Sequence, residues 1–309
     1  MRAIVTGGAG FIGSHLVDAL VARGDDVVVI DDLSYGRREN LPDGVELVER
    51  NVRDPVDDVF DEVRPGVCFH LAAQKDVRVA VERPVFDAEV NVLGTLHVAE
   101  AARRHGTQIV FASTGGAIYG ECERPAREDD ERRPFSPYGV SKLAGEEYLA
   151  AYNRLYGSGH VSLRYANVYG PRQDPYGEAG VVAIFFNRLL RGERPTLYGD
   201  GSSTRDYVHV DDVVRATLGC VGRDGGIFDV ATGVETAAVE LLGRCARIAG
   251  VSAQPEHAPD RLGELQRSVL DPGLGARELG WRPEWRLDDG LEQTWEWMRG
   301  EERSRAERK

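Results

Sequence analysis

A tyrosine and a lysine four residues apart are the first candidates for chemistry in this sequence. Tyr138 and Lys142 form a Y-x-x-x-K motif that leads into a segment, 143–152, with helical character. Residues at positions i and i+4 share one helix face, so these side chains are predicted to lie together. A phenol acts as a base near neutral pH only if its pKa falls from about 10 by roughly 3 units, or about 4 kcal/mol. Neighbouring positive charge supplies such a field, and a solvent-facing Tyr–Lys pair is the alternative.

A glycine-rich turn near the N-terminus predicts a dinucleotide site. Gly7, Gly10 and Gly13 stand between a short apolar strand and a helical segment, so backbone N–H groups and a helix N-terminus can meet a pyrophosphate. Asp31 ends the next strand, where a carboxylate binds ribose hydroxyls and repels a 2′-phosphate, which favours NAD over NADP. In the alternative, Asp31 and Asp32 only cap a loop. The positive nicotinamide ring of NAD would add to the field of the lysine.

The elements that must position these residues alternate between strand and helix. Continuous apolar strands separated by helical segments predict an α/β fold, a Rossmann-type doubly wound parallel sheet. The predicted strands are Ala3–Thr6, Asp26–Ile30, Val45–Glu49, Val67–Leu71 and Ile109–Ala112, and the helical segments include Gly13–Arg23 and Val92–Arg104.

The loop-rich second half predicts a smaller C-terminal α/β substrate-binding domain. Residues 1–165 are assigned to the NAD-binding domain, with elements from about 205–230 returning to it, and residues 166–204 and 231–309 to the substrate-binding domain. Two short apolar runs, Val208–Val210 and Ile227–Val230, are the candidates for strands that return to the sheet.

Composition excludes several classes of function. With 38 basic against 51 acidic residues, the net charge of -13 argues against nucleic-acid binding and leaves an anionic substrate to a few placed arginines. The four cysteines, which show no metal-ligand spacing, predict no metal site and reduced thiols in a cytoplasmic protein. No apolar run approaches the ~20 residues of a membrane span, so no membrane partner is expected.

Further motifs along nearly the whole chain make a resemblance specific. The chain resembles the UDP-glucose 4-epimerase group of the extended short-chain dehydrogenase/reductase family, the NAD-dependent epimerases and dehydratases. The motifs that carry this resemblance are TGGAGFIG at Thr6–Gly13, HLAA at His70–Ala73, NVLGT at Asn91–Thr95, STGGAIYG at Ser113–Gly120, SPYGVSK at Ser136–Lys142, LRYANVYGPRQ at Leu163–Gln173, GDGSSTRDYVHVDD at Gly199–Asp212 and LGW at Leu279–Trp281.

The resemblance implies NAD as cofactor and a set of binding residues. Asn51 stands where the family usually has Asp, which weakens the expected adenine contact. Arg205 and Arg261 are expected to hold the nucleotide diphosphate through paired charge-assisted bonds, unless Arg205 pairs with Asp206 or Asp211. The implied cofactor residues are Gly7, Gly10, Phe11, Ile12, Gly13, Asp31, Asp32, Ser34, Gly36, Asn51, Val52, Leu71, Ala72, Ala73, Lys75, Asn91, Tyr138, Lys142 and Tyr165. The implied substrate residues are Asn167, Thr196, Tyr198, Arg205, Arg261, Glu264 and Ser268.

The chain departs from the family pattern around the expected sugar site. Gly115 stands where many relatives have a Ser or Thr that bonds the sugar 4-hydroxyl, so Thr114 is expected to replace it, with Ser113 as the second choice. Gly116 and Ala117 provide no acidic group of the kind that dehydratases and decarboxylases carry there. Ser268 replaces the bulky tyrosine of glucose-only members, and this predicts room for an N-acetyl group unless another side chain fills it.

The function implied is NAD-dependent C4 epimerisation of a UDP-sugar through a 4-keto intermediate, with Tyr138 as base and Lys142 as its partner. UDP-glucose and UDP-galactose are the expected substrates, and UDP-GlcNAc and UDP-GalNAc fit the same prediction. UDP-glucuronate 4-epimerase, a dehydratase or oxidoreductase of the same fold, and a non-catalytic NAD-binding regulator remain alternatives. The resemblance also implies a homodimer packed through two long helices, Val85–His105 and Lys142–Leu155, whose apolar stripes are equally explained as core.

Overall fold

The computed structural model describes residues 1–176, 180–259 and 265–307, and we label its elements in chain order. The strands are β1 (Arg2–Thr6), β2 (Asp26–Asp31), β3 (Glu46–Glu49), β4 (Val67–His70), β5 (Gln108–Thr114), β6 (Val161–Tyr165), β7 (Asn167–Tyr169), β8 (Thr196–Tyr198), β9 (Thr204–His209), β10 (Gly226–Val230), β11 (Glu235–Ala237), β12 (Glu256–Ala258) and β13 (Arg267–Ser268). The α-helices are α1 (Phe11–Ala22), α2 (Asp57–Val63), α3 (Val77–Glu82), α4 (Pro84–Ala88), α5 (Gly94–His105), α6 (Gly115–Ile118), α7 (Pro137–Tyr156), α8 (Val181–Leu190), α9 (Val210–Leu218), α10 (Ala238–Ala249), α11 (Gly273–Glu278) and α12 (Leu287–Glu307).

The main sheet has the Rossmann-type arrangement that the sequence predicts. Among the described residues, seven parallel strands follow the order β3-β2-β1-β4-β5-β6-β10, with Val5 aligned between Val29 and Phe69. The strands are mostly apolar because helices cover both faces. One buried cluster includes Val5, Leu16 and Val213 under α1 and α9, and the opposite cluster includes Phe60 and Phe111 under α2, α5 and α7.

The order of the strands creates a crevice at one edge of the sheet. The spatial order of the strands changes sides at β1. Strands β2 and β3 lie on one side of β1, while β4, β5 and β6 lie on the other, and all of them are parallel. In open parallel sheets, ligands bind at the carboxyl ends of the strands where the order reverses. The glycine turn after β1 and the loop after β4 therefore form the two walls of the expected dinucleotide site.

One predicted strand joins the main sheet and the other does not. The prediction for Ile227–Val230 is confirmed, since β10 pairs with β6. The prediction for Val208–Val210 is wrong: Val208 lies in β9, which pairs with β7, β11 and β13 in a second sheet, and Val210 begins α9. The physical reason is the short link after β6. Only Ala166 separates β6 from β7, so the chain passes directly from the main sheet to the second one.

A third apolar cluster packs the C-terminal elements around this second sheet. It joins α8, α10 and α12 through Phe186, Leu241, Leu291 and Trp295, and the rings of Phe186 and Trp295 lie 5.2 Å apart. The charged segment at the end of the chain continues α12 as far as Glu307. The predicted helix Val85–His105 is one helical run, in which a π-helical turn, Glu89–Leu93, joins α4 to α5. No helix in the described part of the chain has the length and apolar character needed to cross a membrane.

Candidate functional site

The glycine turn has a conformation that only glycines fit. Gly7 has φ 71°, and a Cβ there would lie 2.6 Å from the Ala72 backbone nitrogen. A Cβ at Gly13 would lie 2.1 Å from the Gly7 carbonyl oxygen. Gly10 caps α1 without a side-chain hydrogen bond, so the N-terminal N–H groups of the helix face open space. The turn is therefore built for the close approach of an anionic ligand to backbone N–H groups.

This turn opens into a cavity of about 1460 Å³ that runs along the carboxyl ends of the strands. The cavity brings together Tyr138, Lys142 and Asn167 with the glycine turn, although these residues lie far apart in the sequence. The predicted cofactor residues that line it are Gly7, Gly10, Phe11, Ile12, Gly13, Asp31, Asp32, Ser34, Gly36, Asn51, Val52, Leu71, Ala72, Ala73, Lys75, Tyr138, Lys142 and Tyr165.

Asp31 is buried at the end of β2 and organises the loop behind it. Its two carboxylate oxygens accept hydrogen bonds from the backbone N–H groups of Ala9 and Leu33, each at 2.9 Å. Burial raises the pKa of Asp31 above its ordinary value, while these two bonds oppose the rise. A carboxylate has about four lone-pair sites, so Asp31 retains acceptor capacity toward ribose hydroxyls in the cavity.

Asn51, which replaces the Asp common in the family, is hydrogen-bonded on both sides. Its amide nitrogen donates to the Asp32 carboxylate, and its oxygen accepts from the Arg53 backbone N–H at 2.9 Å. An aspartate at this position would place a second carboxylate against Asp32. The amide therefore meets that carboxylate as a donor, without the like-charge repulsion that an aspartate would bring.

Asn91 is not among the residues that line the cavity, and its role as a cofactor residue stays a prediction. It is 1% exposed and lies in the π-helical turn, where its amide exchanges two 2.9 Å hydrogen bonds with the Gln74 backbone. It also donates to Asp87 at 3.0 Å and to the Ser141 hydroxyl at 3.2 Å. Asn91 thus fixes the cavity loop after β4 to α7 from behind. Gln74 and Asp87 have no recognisable sequence signal, because only the fold brings them to Asn91.

The Tyr–Lys pair lies on the cavity side of α7, as the spacing predicts. The N-terminus of helix α7 is capped, because the Ser136 hydroxyl accepts from the Gly139 N–H at 3.2 Å and Pro137 occupies the first turn. The Lys142 ammonium donates to the Ala112 carbonyl oxygen at 2.8 Å. Burial lowers the pKa of Lys142 to about 8, although the carboxylates of Asp87 and Glu146 oppose this change.

Tyr138 experiences opposing effects on its ionisation. Burial is the largest cause and raises the pKa of the phenol, and the Asp87 carboxylate raises it further. A hydrogen bond with the Thr114 side chain lowers it. A cation bound beside the ring would be needed to lower the pKa of the phenol toward neutral pH, and the nicotinamide ring of NAD+ carries such a charge.

The two hydroxyls considered as substitutes for the missing one at Gly115 have different environments. Thr114 faces the cavity and bonds Tyr138. Ser113 also contributes to the cavity wall, but it donates its hydroxyl to the buried Glu146 carboxylate. The two hydroxyls are therefore committed to different residues of α7, Ser113 to Glu146 and Thr114 to Tyr138. A catalytic role for either hydroxyl stays a prediction.

The predicted substrate residues are only partly gathered at the cavity. Asn167 lines it, whereas the lining does not include Thr196, Tyr198, Arg205 or Ser268. The Ser268 hydroxyl, the Asn167 amide oxygen and the Thr114 hydroxyl all lie between 3.7 and 3.9 Å from the position that a Cβ on Gly116 would occupy. Ser268 thus lies next to Thr114 and Asn167, which line the cavity.

Arg205, a predicted substrate residue, lies on β9 outside the cavity lining. Arg205 lies beside Ser268 in the β9–β13 pair and donates to the Thr204 carbonyl oxygen at 2.8 Å. The suggested partner Asp206 is buried and accepts instead from Thr232 and the Gly233 backbone N–H. Arg261 and Glu264 lie outside the described residues. Residues that are not among the sequence predictions also line the cavity, namely Arg172, Gln173, Tyr176, Asn187, Tyr207, Trp297 and Met298.

Comparison with known proteins agrees with this geometry. The pattern of the NAD dependent epimerase/dehydratase family matches residues 3–231. The UDP-glucose 4-epimerase of Mycolicibacterium smegmatis is 49% identical over 309 residues, which cover 97% of this chain and 99% of the relative.

Two solved structures are similar over the same length. The UDP-glucose 4-epimerase of Thermus thermophilus in complex with NAD is 50% identical with a TM-score of 0.93, covering 97% of this chain and 99% of that one. The UDP-glucose 4-epimerase of Thermotoga maritima with UDP-glucose is 44% identical with a TM-score of 0.95 and the same coverage. A match that spans both the glycine turn and the Tyr138–Lys142 helix shows that this chain belongs to the NAD dependent epimerase/dehydratase family, and that NAD is its cofactor.

Proposed function

We propose that this protein is an NAD-dependent UDP-sugar 4-epimerase that interconverts UDP-glucose and UDP-galactose. One observation carries the proposal: the Tyr138 phenol, next to Thr114 and one helical turn from Lys142, lines the same cavity as the glycine turn and Asn167. A base beside a dinucleotide turn at one end and an open polar pocket at the other is the arrangement that reversible oxidation of a sugar hydroxyl requires.

The cofactor would lie along the carboxyl edge of the sheet. The glycine cradle suits a pyrophosphate, because Gly7 and Gly13 let the turn pack directly against neighbouring backbone, and the first residues of α1 then line the cavity. Asp31 would bind the adenosine ribose, and Lys142 the nicotinamide ribose. When bound, NAD supplies reversible hydride acceptance at the sugar C4, so the cofactor ends each turnover as it began.

The chain's own contribution to the reaction is proton transfer and orientation. The Tyr138 phenolate accepts the proton of the sugar 4-hydroxyl and later returns it to the same oxygen. The Thr114 hydroxyl holds that oxygen against the phenol in place of the side chain that Gly115 lacks. The Lys142 ammonium, held by the Ala112 carbonyl, stabilises the phenolate. The nucleotide diphosphate stays anchored while the 4-keto sugar turns over and presents its other face.

The sugar would occupy the space next to Gly116. Thr114, Asn167 and Ser268 surround this glycine with three polar groups, and Ser268 leaves more room than a tyrosine would. We therefore extend the proposal to UDP-GlcNAc and UDP-GalNAc. The nucleotide end is assigned to Asn167, Thr196, Tyr198 and Arg205, together with Arg261 and Glu264.

A product assay tests the function directly. Purified protein would receive UDP-glucose, UDP-GlcNAc or UDP-glucuronate separately, first without added NAD and then with it, and the products would be identified by NMR of the sugar H4 proton. Conversion of UDP-glucose to its C4 epimer is expected, and Tyr138→Phe should lower kcat by at least about 100-fold while NAD binding survives. Formation of a 4-keto-6-deoxy sugar, or epimerisation at the wild-type rate by Tyr138→Phe, would contradict the proposal.

The functional unit is proposed to be a homodimer. Helices α4 and α7 pack against each other, and the chain leaves Val85 72% exposed on the first and Leu155 70% exposed on the second. Exposed apolar side chains of this kind favour burial against a second copy. A cytoplasmic location is proposed with it, because Cys68, Cys122, Cys220 and Cys245 are all free thiols.

A further inference from the structure

A buried polar cluster lies between β5, β6 and α7, and proton transfer at the sugar does not use it. Glu146 on α7 and Arg164 on β6 form an ion pair in which both side chains are fully buried, with 2.7 Å between Arg164 Nη2 and Glu146 Oε2. Arg164 also donates to the Tyr119 hydroxyl at 2.6 Å, and that hydroxyl donates to the Asp229 carboxylate at 2.9 Å. Ser113 donates to the other oxygen of Glu146.

The cluster belongs to a larger set of contacts between β5 and α7. Three consecutive residues of β5 contact three residues of α7 that follow one another at helical spacing. The Thr114 side chain bonds Tyr138, the Ala112 carbonyl accepts from Lys142, and the Ser113 hydroxyl donates to Glu146. Residues at i, i+4 and i+8 share one helix face, so the three contacts act together to fix the strand end against the helix.

A buried ion pair is by itself weak evidence of a net contribution to the stability of the fold. Removing two charges from water costs several kcal/mol per ion, and well-packed apolar side chains often serve equally well. The pair therefore calls for a role besides folding, and its position next to Lys142 indicates one.

We propose that Glu146 is a positioning residue for the Tyr138–Lys142 pair. Its carboxylate, anchored by Arg164, holds Ser113 and so fixes the end of β5, and it places a negative charge one helical turn from the Lys142 ammonium. Only the kinetic part of this inference rests on the proposed function. The structural part concerns the charge state of Lys142 and can be tested without substrate.

The charges around Lys142 set the direction of the effect. Burial lowers the pKa of Lys142 to about 8, and the groups that oppose this are Asp87 on α4 and Glu146 on α7. His70 on β4 faces the same region, and burial keeps it neutral by lowering its pKa to about 3. Tyr138 is the other titratable group beside it. Loss of the Glu146 charge leaves Asp87 alone to oppose burial and leaves Arg164 without its counter-ion, so the pKa of Lys142 should fall further.

The chain offers a direct measurement, because it contains only three lysines, Lys75, Lys142 and Lys309. Protein labelled with 13C at the lysine ε-carbon would give three signals, and the Lys142 signal is the one lost in Lys142→Met. Titration in the absence of substrate should show the Lys142 midpoint moving to lower pH by about one unit in Glu146→Gln. The matched control is Glu147→Gln, which removes a half-exposed carboxylate from the next position of the same helix. An unchanged Lys142 midpoint in folded Glu146→Gln would overturn the charge role.

Ser113→Ala removes the hydroxyl that links the end of β5 to Glu146 and leaves the Glu146–Arg164 ion pair in place. It therefore tests the positioning role even if Glu146→Gln does not fold. It should lower kcat about tenfold and change KM less than about twofold, because it loosens the strand end without touching the nucleotide site. Ser113→Thr, which restores the hydroxyl, should recover most of the rate. Wild-type kcat in Ser113→Ala would overturn the positioning role. Absence of epimerase activity in the wild type would instead remove the proposed function and leave the lysine titration standing.

Discussion

The Leu270 side chain occupies the space that a side chain at position 115 would need. A Cβ on Gly115 would lie 2.2 Å from Leu270 Cδ1, and Leu270 is itself 1% exposed in a small apolar cluster with Tyr119, Ala126 and Ala231. The glycine that lacks the usual hydroxyl is therefore not an open position. The apolar Leu270 side chain fills the space that a Ser or Thr side chain at position 115 would occupy.

Gly115→Ser is expected to destabilise the protein rather than restore a hydroxyl to the site. Overpacking a filled core typically costs about 1–3 kcal/mol in the free energy of unfolding, and Leu270, at 1% exposed, would have to shift within the core to make room. Urea denaturation measures this loss. Gly116→Ser is the matched control, because the atoms nearest to its Cβ would lie 3.7–3.9 Å away. Shortening Leu270 to Ala should recover part of the loss in a double variant, and equal stability of Gly115→Ser and the wild type would contradict a fixed Leu270.

Thr114→Val is expected to lower kcat by about 100-fold, because it removes the hydroxyl that bonds Tyr138 while keeping the shape of the side chain. Steady-state epimerisation of UDP-glucose is the measurement. Thr114→Ser keeps the hydroxyl and should remain within a few-fold of the wild-type kcat. A Thr114→Val enzyme with wild-type kcat would mean that the 4-hydroxyl is held by another group.

Local patterns account for the parts of the site that the sequence reveals. The glycine turn and the Tyr138–Lys142 pair are each defined within a few residues, by glycine conformation in one case and by helical spacing in the other. Both can be recognised before any tertiary contact is known. The alternation of apolar strands and helices likewise predicts the main sheet, because strands buried on both faces must be apolar throughout.

The parts that the sequence does not reveal depend on side-chain direction and on contacts between distant residues. Ser113 and Thr114 look equivalent as neighbours in the sequence, yet the Ser113 hydroxyl is bound to the buried Glu146 carboxylate, and only Thr114 meets Tyr138. Asn91 carries a family motif, but its contacts with Gln74 and Asp87 place it behind the cavity wall. Val208 looks like any sheet strand, and its membership of the second sheet follows only from the short link after β6.

Leu155→Glu is expected to convert the proposed homodimer to a monomer. A charge on an apolar side chain that is 70% exposed costs little in the isolated chain, but burial of that charge in an interface costs several kcal/mol. Light scattering coupled to gel filtration should move from twice the chain mass of 34.0 kDa to that mass itself. Val251→Glu, which changes a half-exposed valine just after the end of α10, is the control and should stay dimeric. A wild-type protein that is monomeric at micromolar concentration would remove the dimer proposal.

His70 should make the protein less stable as the pH falls. Thr95 donates its hydroxyl to the Asn91 carbonyl at 2.7 Å, so it accepts from the His70 Nε2–H, and the Nδ1 atom then accepts from Thr6 at 2.7 Å. Both ring nitrogens are satisfied in the neutral form. Burial, with a smaller contribution from the Lys142 charge, lowers the pKa of His70 from 6.5 to about 3.

The sign of the resulting pH dependence follows from linkage. Between pH 6.5 and pH 3 the unfolded chain binds a proton at His70 and the folded chain does not, so the stability that the neutral ring contributes is complete above pH 6.5 and is lost as the pH falls through this window. His70→Gln removes the titrating group, so its free energy of unfolding should fall less steeply between about pH 6.5 and pH 4 than that of the wild type. Chemical denaturation at several pH values measures both slopes, and the difference between the two proteins at about pH 8, where both side chains are neutral, gives the cost of the substitution itself. Parallel curves for the two proteins over the whole range would show that His70 is not held neutral by its burial.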